Sequence, residues 1–152
     1  MSAVFVGGLS GVAFAQSDDV IFNGTIADSC TVVAGSAGTI AASTDSTVLS
    51  STEAGGSAGD AAVTANSAAY QVTVSAPTAF DSAPAGSDTN TTFAASYAAS
   101  GATTASGVNA GVQTAINAGE TTITVDASAT KSVGTYAAGS YQLTTTVTCS
   151  TS

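Results

Sequence analysis

The chain has no histidine and no tryptophan, and Lys131 is its only basic residue. Without histidine there is no Ser-His-Asp or Cys-His pair to activate a nucleophile, and no imidazole to hold a metal. Ten acids against one lysine leave a formal charge of −9. Nucleic acid and anionic lipid both demand a basic stripe, so neither is expected as a partner. Aromatic residues number nine, five Phe and four Tyr, too few for the paired girdles of a membrane barrel. The apolar stretch Met1 to Ala15 is shorter than a membrane span and is broken by Gly7, Gly8, Ser10 and Gly11. The two cysteines are too far apart in sequence for a C-x-x-C redox or zinc motif.

What remains is Ala, Ser, Thr, Gly and Val. Low charge combined with many β-branched residues points to an ordered, β-rich chain rather than a disordered one. At 152 residues, one domain with a real core is expected. Met1 to Ala15 ends in Ala13-Phe14-Ala15, an A-x-A cleavage pattern before Gln16. It reads as the apolar and cleavage regions of a secretory signal peptide lacking its basic start. The expectation is export, with residues 16–152 as the mature domain and no membrane span after cleavage. The protein would then be extracellular, at the cell surface or periplasmic.

The last strand, Tyr141 to Cys149, puts Tyr141, Leu143, Val147 and Cys149 on one face and Gln142, Thr144, Thr146 and Thr148 on the other. A matching strand, Val20 to Val33, puts Val20, Phe22, Ile26, Cys30 and Val32 on one face, with Gly24 as a bulge or a point of close backbone approach. Two in-phase cysteines in an exported chain suggest that the first and last strands meet and are stapled by a Cys30–Cys149 disulfide. Between them lie one or two short strands within Ala34 to Gly59, and a hairpin formed by Ala61–Ala65 and Ala69–Ala76. A strand follows at Thr91–Ala98, then a surface loop over Ala99–Asn109. A strand or irregular turn within Val108–Ala118 and a strand at Thr121–Ala127 complete the count. This makes about seven or eight short strands, the pattern of a single all-β antiparallel sandwich of immunoglobulin-like or pilin-like type.

The acids sit mostly in turn contexts such as Thr44-Asp45-Ser46 and Ser87-Asp88-Thr89, where carboxylates accept backbone hydrogen bonds. No catalytic residue, metal site or cofactor is implied. Asp18, Asp19 and Asp28 lack the D-x-D-x-D-G spacing of a calcium loop. Asp28 shares the face of Phe22, Ile26 and Cys30, and so belongs near the sandwich rim or among backbone donors.

Phe22-Asn-Gly-Thr-Ile-Ala-Asp-Ser-Cys30, a Gly-rich stretch, and the closing Gly139-Ser-Tyr-Gln-Leu-Thr-Thr-Thr-Val-Thr-Cys149 together resemble bacterial exported fimbrial-type sandwiches. That group includes spore coat U-like pilins and related small secreted cyanobacterial proteins. In it a second cysteine often follows Val-Thr and pairs with the first-strand cysteine. Here that context reads Val63-Thr-Ala-Asn-Ser67, with Ala65 in the cysteine's place, which supports Cys149 as the partner of Cys30.

The resemblance implies a non-enzymatic subunit of a surface appendage, with like subunits and an export chaperone as partners. In such pilins an incomplete sandwich is completed by an N-terminal segment of the next subunit. Only Gln16 to Asp19 would precede Val20 in a chain cut at Ala15, too few and too polar to serve as that segment. Two readings follow. In one, Val20 to Ile26 is itself the donor, with Phe22 and Ile26 filling a partner's groove. In the other, preferred for an isolated domain, Val20, Phe22 and Ile26 are ordinary core of a self-complete secreted domain that binds glycan, matrix or cells.

Overall fold

The computed structural model describes residues 16–152, so the signal-peptide reading of Met1 to Ala15 lies outside the described residues. Among those described, all regular structure is β: ten strands in two antiparallel sheets, a sandwich as expected. They are β1 (Cys30–Ala34), β2 (Ala41–Ala42), β3 (Val48–Ser50), β4 (Gly59–Ala65), β5 (Tyr70–Ser75), β6 (Thr91–Gly101), β7 (Ala105–Asn109), β8 (Thr114–Ile116), β9 (Gly119–Lys131) and β10 (Thr146–Thr151).

The long β9 organises the larger, seven-stranded sheet. Residues 121–131 of β9 pair with β6 along one edge. Its other edge is shared end to end by β4, against residues 119–125, and β3, against 128–130. β1 extends the sheet beyond β4, β2 beyond β3, and β7 beyond β6. The smaller sheet has the order β10-β5-β8. Thr121, Ile123, Val125 and Ala129 of β9 are buried and in phase, with Ala127 between them partly buried. Such alternation is what a half-buried strand requires. Val63 of β4 and Val72 and Val74 of β5 meet Ile123 between the sheets, each with no exposed surface. Tyr97 closes this core, its Oη 2.8 Å from Val112 O and 2.7 Å from Thr114 Oγ1. A second cluster joins Leu49, Ala129 and Tyr136 to Phe80, Phe93 and Tyr141. Its rings meet edge to face, with Phe80 5.1 Å from Phe93 and 5.2 Å from Tyr141.

Three expectations are corrected. Ala61–Ala65 and Ala69–Ala76 do not form a hairpin, because β4 pairs with β1 and β9 while β5 pairs with β10 and β8. The Asn66–Ala68 connection carries the chain from one sheet to the other instead. Ala99–Asn109 is not a loop but the end of β6 and all of β7. Small residues there hide the alternation that marks a strand. The first strand begins at Cys30, not Val20, and the last forms its ladder only from Thr146.

Candidate functional site: an open seam and an apolar arm

Cys30 and Cys149 are bonded, with their Cα atoms 6.4 Å apart. The bridge joins β1, at the edge of the large sheet, to β10, at the edge of the small one. A disulfide between these strands suggests an oxidising, extracytoplasmic environment. Cys30 stands directly opposite Ala65 in the β1–β4 register. The alanine in the Val63–Ser67 context thus sits where a cross-strand cysteine would reach Cys30, and Cys149 reaches it from the other sheet instead.

Beyond the bridge the two edges are not paired with each other, and a groove lies between them. Register tells where their backbone groups point, because residues of an antiparallel pair alternate between bonding to the partner and turning outward. Gly35 N–H donates to Asp60 O, and Asn66 N–H to Ser29 O. The odd residues of β1 therefore bond to β4, and Cys30, Val32 and Ala34 turn their N–H and C=O groups to the outer edge. Ser152 N–H donates to Ala69 O, so by the same reasoning Val147, Cys149 and Thr151 turn theirs away from β5. Among the described residues neither outer edge has a strand partner.

Between these edges runs a groove of about 590 Å³, walled by Val32 and Ala34 on one side and Thr144 to Val147 on the other, with Ala61 and Val125 at its base. A second hollow of about 280 Å³ continues it past Gly38 and Gly59 to Ile40 and Tyr141. Along this stretch Tyr141, Leu143, Thr145 and Val147 are half-buried, and Gln142, Thr144 and Thr146 are exposed. The alternation read from the sequence holds, but between the Gln142–Ser82 bridge and Thr146 the stretch lies in neither sheet. Val32 faces inward yet keeps 38% of its surface exposed. Nothing within the described residues covers it.

The residues expected to fill this space are elsewhere. Val20, Phe22 and Ile26 are 78%, 91% and 88% exposed, and Ile21 is 77% exposed. Residues 16–29 carry no strand, and a Cβ at Gly24 would meet nothing within 4 Å. The reading of Val20, Phe22 and Ile26 as core contacts of this domain is therefore corrected, as is Gly24 as a point of close approach within it. Asp28 is exposed too, the solvent-reached alternative of the two considered for it. What holds the base of this arm is Asn66. Its Nδ2 donates to Ala27 O at 2.8 Å, and its Oδ1 accepts from Ser29 N–H at 2.8 Å.

Asp45 and Asp88 behave as turn caps. Asp45 accepts from Ser43 Oγ at 2.6 Å and from Thr47 Oγ1 at 2.8 Å, and these bonds hold its carboxyl below the ordinary 3.8. Asp88 accepts from Phe80 N–H at 2.9 Å. Lys131 donates to the carbonyls of Ser87 and Thr89 at 3.0 and 2.8 Å and lies 5.2 Å from the Tyr136 ring centre. The one cation is occupied in tying a turn to β9. No helix among the described residues is long and apolar enough to cross a membrane. Set against known proteins, the chain matches no family model and no curated sequence.

Proposed function

We propose that the protein is a non-enzymatic, exported structural subunit of a cell-surface appendage or coat, in which residues 20–26 of one copy occupy the seam of another. The observation that supports this reading is the pairing, in one chain, of an unfilled seam with an apolar base and an unpartnered apolar segment. Residues 20–27 carry no charge, which suits a groove whose base is Ala61 and Val125. Seven extended residues span about 23 Å. Val20, Phe22, Gly24 and Ile26 would point to one face, and the outward N–H and C=O groups of β1 and β10 would accept the added strand. The fimbrial resemblance points the same way, and it adds an export chaperone to cover both surfaces before assembly, in the periplasm or at the cell surface. A self-complete binding domain leaves the exposed arm without a role.

The test compares the full chain with a Phe22→Asp/Ile26→Asp variant by size-exclusion chromatography with light scattering. The expected result is a concentration-dependent ladder of multimers for the native chain and a folded monomer for the variant. A peptide of residues 20–26 should cap native assembly. A native chain that stays monomeric at every concentration and does not bind the peptide overturns the reading.

A further inference from the structure

The arm is joined to the very strand that borders the seam, so its own seam is the nearest place for it to go. A three-residue reversal over Ala27 to Ser29 would set Ile26 against Cys30, Gly24 against Val32 and Phe22 against Ala34. All of these are in phase with the inward face, and three-residue hairpin loops are common. A segment tethered this closely competes at an effective concentration in the millimolar range, on the order of 10²–10³ times a micromolar protein. Self-filling would therefore outrun assembly unless something prevents it.

Two features stand at that point. The Cys30 and Cys149 Cα atoms are 6.4 Å apart, whereas a strand lying between two others needs about 9.5 Å, twice the interstrand spacing. The bridge thus closes the seam where the hairpin would have to start. Two of the three residues that would have to turn, Ala27 and Ser29, are also tied to Asn66. Asn66 bonds Ala27 O and Ser29 N–H through its side chain and Ser29 O through its own N–H at 3.1 Å, prolonging the β1–β4 ladder past Cys30. Beyond these bonds Val20, Phe22 and Ile26 stand in solvent and none of them lines the seam.

Resting on the reading of residues 20–26 as a donor strand, we propose that the Cys30–Cys149 bridge and Asn66 together bar the arm from its own seam, so that its occupant is a second copy of the chain.

Two variants test this, each read by assembly mass and by chymotrypsin cleavage after the exposed Phe22. A six-residue Gly-Ser insertion between Ile26 and Ala27 leaves the bridge and the Asn66 contacts intact but lets the arm turn outside them and pass the bridge. It should raise the monomer fraction about a hundredfold at micromolar protein and protect Phe22 in that monomer by a similar factor. Asn66→Ala should move both readouts the same way by a smaller factor, and adding Phe22→Asp to the insertion should abolish the protection. Wild-type assembly and cleavage in both the insertion and Asn66→Ala chains overturn the proposal, as does a native monomer whose Phe22 is already protected. If the native chain fails to assemble while its Phe22 is cut freely and the insertion protects it, the bar on self-filling stands and the polymer reading falls.

Discussion

The two sides of the sandwich were built from the same kind of sequence and ended differently. On the closed side, Val63, Val72, Val74 and Ile123 meet across the two sheets and lose all contact with water. On the open side, Val32 looks into a groove while Val20, Phe22 and Ile26, which have the same alternation and more apolar surface, stand in solvent. The closed side finds its partners within the chain because β4, β5, β6 and β9 are long enough to stack. On the open side, the three-stranded sheet stops at β10 and the seven-stranded sheet at β1, and one covalent bond spans the gap. Alternation marks a strand's face, but it does not say whose strand will cover it.

The largest expected effect belongs to that bond. Replacing Cys30 and Cys149 by serine removes a link across 119 residues of chain. Loop-closure entropy assigns such a link about 4–5 kcal/mol, a large share of what holds a domain of this size together. Urea unfolding of the double variant should show a loss of that order. A loss under about 1 kcal/mol would mean that β1 and β10 are held by packing, and that the open side is less open than its groove suggests.

A second pair of variants sets the two sides against each other with one residue type. Ile123→Ala should cost about 2–5 kcal/mol, because its neighbours are fully packed and can close only part of the cavity. Ile26→Ala, at 88% exposure, should leave the monomer within about 0.5 kcal/mol of the native chain. Equal losses in the two would place Ile26 in a core and break the contrast.

Much of this was legible beforehand, for identifiable reasons. The cysteine pairing could be read because both side chains fall on inward positions of the chain's outermost strands. β9 could be read because Ile123 and Val125 alternate with polar residues. The burial of Tyr141, Leu143 and Val147 followed the same rule, although most of that stretch joins neither sheet. β7 was missed because Ala105-Ser-Gly-Val-Asn109 offers one large apolar side chain in five residues. The β4–β5 crossover was missed because a three-residue link has the same length whether it closes a hairpin or changes sheets. Asn66 was missed as well. Its sequence signal was a polar residue at a link that turned out to be held by its side chain. The sequence left the arm between two readings, since Val20, Phe22 and Ile26 alternate alike as core or as a donor strand, and only the tertiary structure shows them outside the domain.

The smallest expected effect tests the far end of the groove, where the aromatic cluster meets Tyr141. Tyr136 is buried against Phe80 and Tyr141, their ring centres 5.8 and 5.5 Å away. Burial raises its phenol above the ordinary 10.0, with smaller contributions of the same sign from Tyr141 and Asp88, while the bond to Thr91 opposes them. A folded-state value above the unfolded one means that the folded chain holds this proton more tightly. The stability it contributes is complete below pH 10 and is lost as pH rises from there through the raised folded value. Phenylalanine at this position keeps the ring contacts, has no proton to lose, and gives up only a hydroxyl contact of 3.4 Å to Thr91, a weak one by length. Urea midpoints followed from neutral pH to beyond 10 should therefore fall more steeply for the native chain than for Tyr136→Phe, with the two curves parallel below that point. Parallel curves throughout would mean that water reaches the phenol in the folded state, and that the groove is open at its aromatic end as well as along its seam.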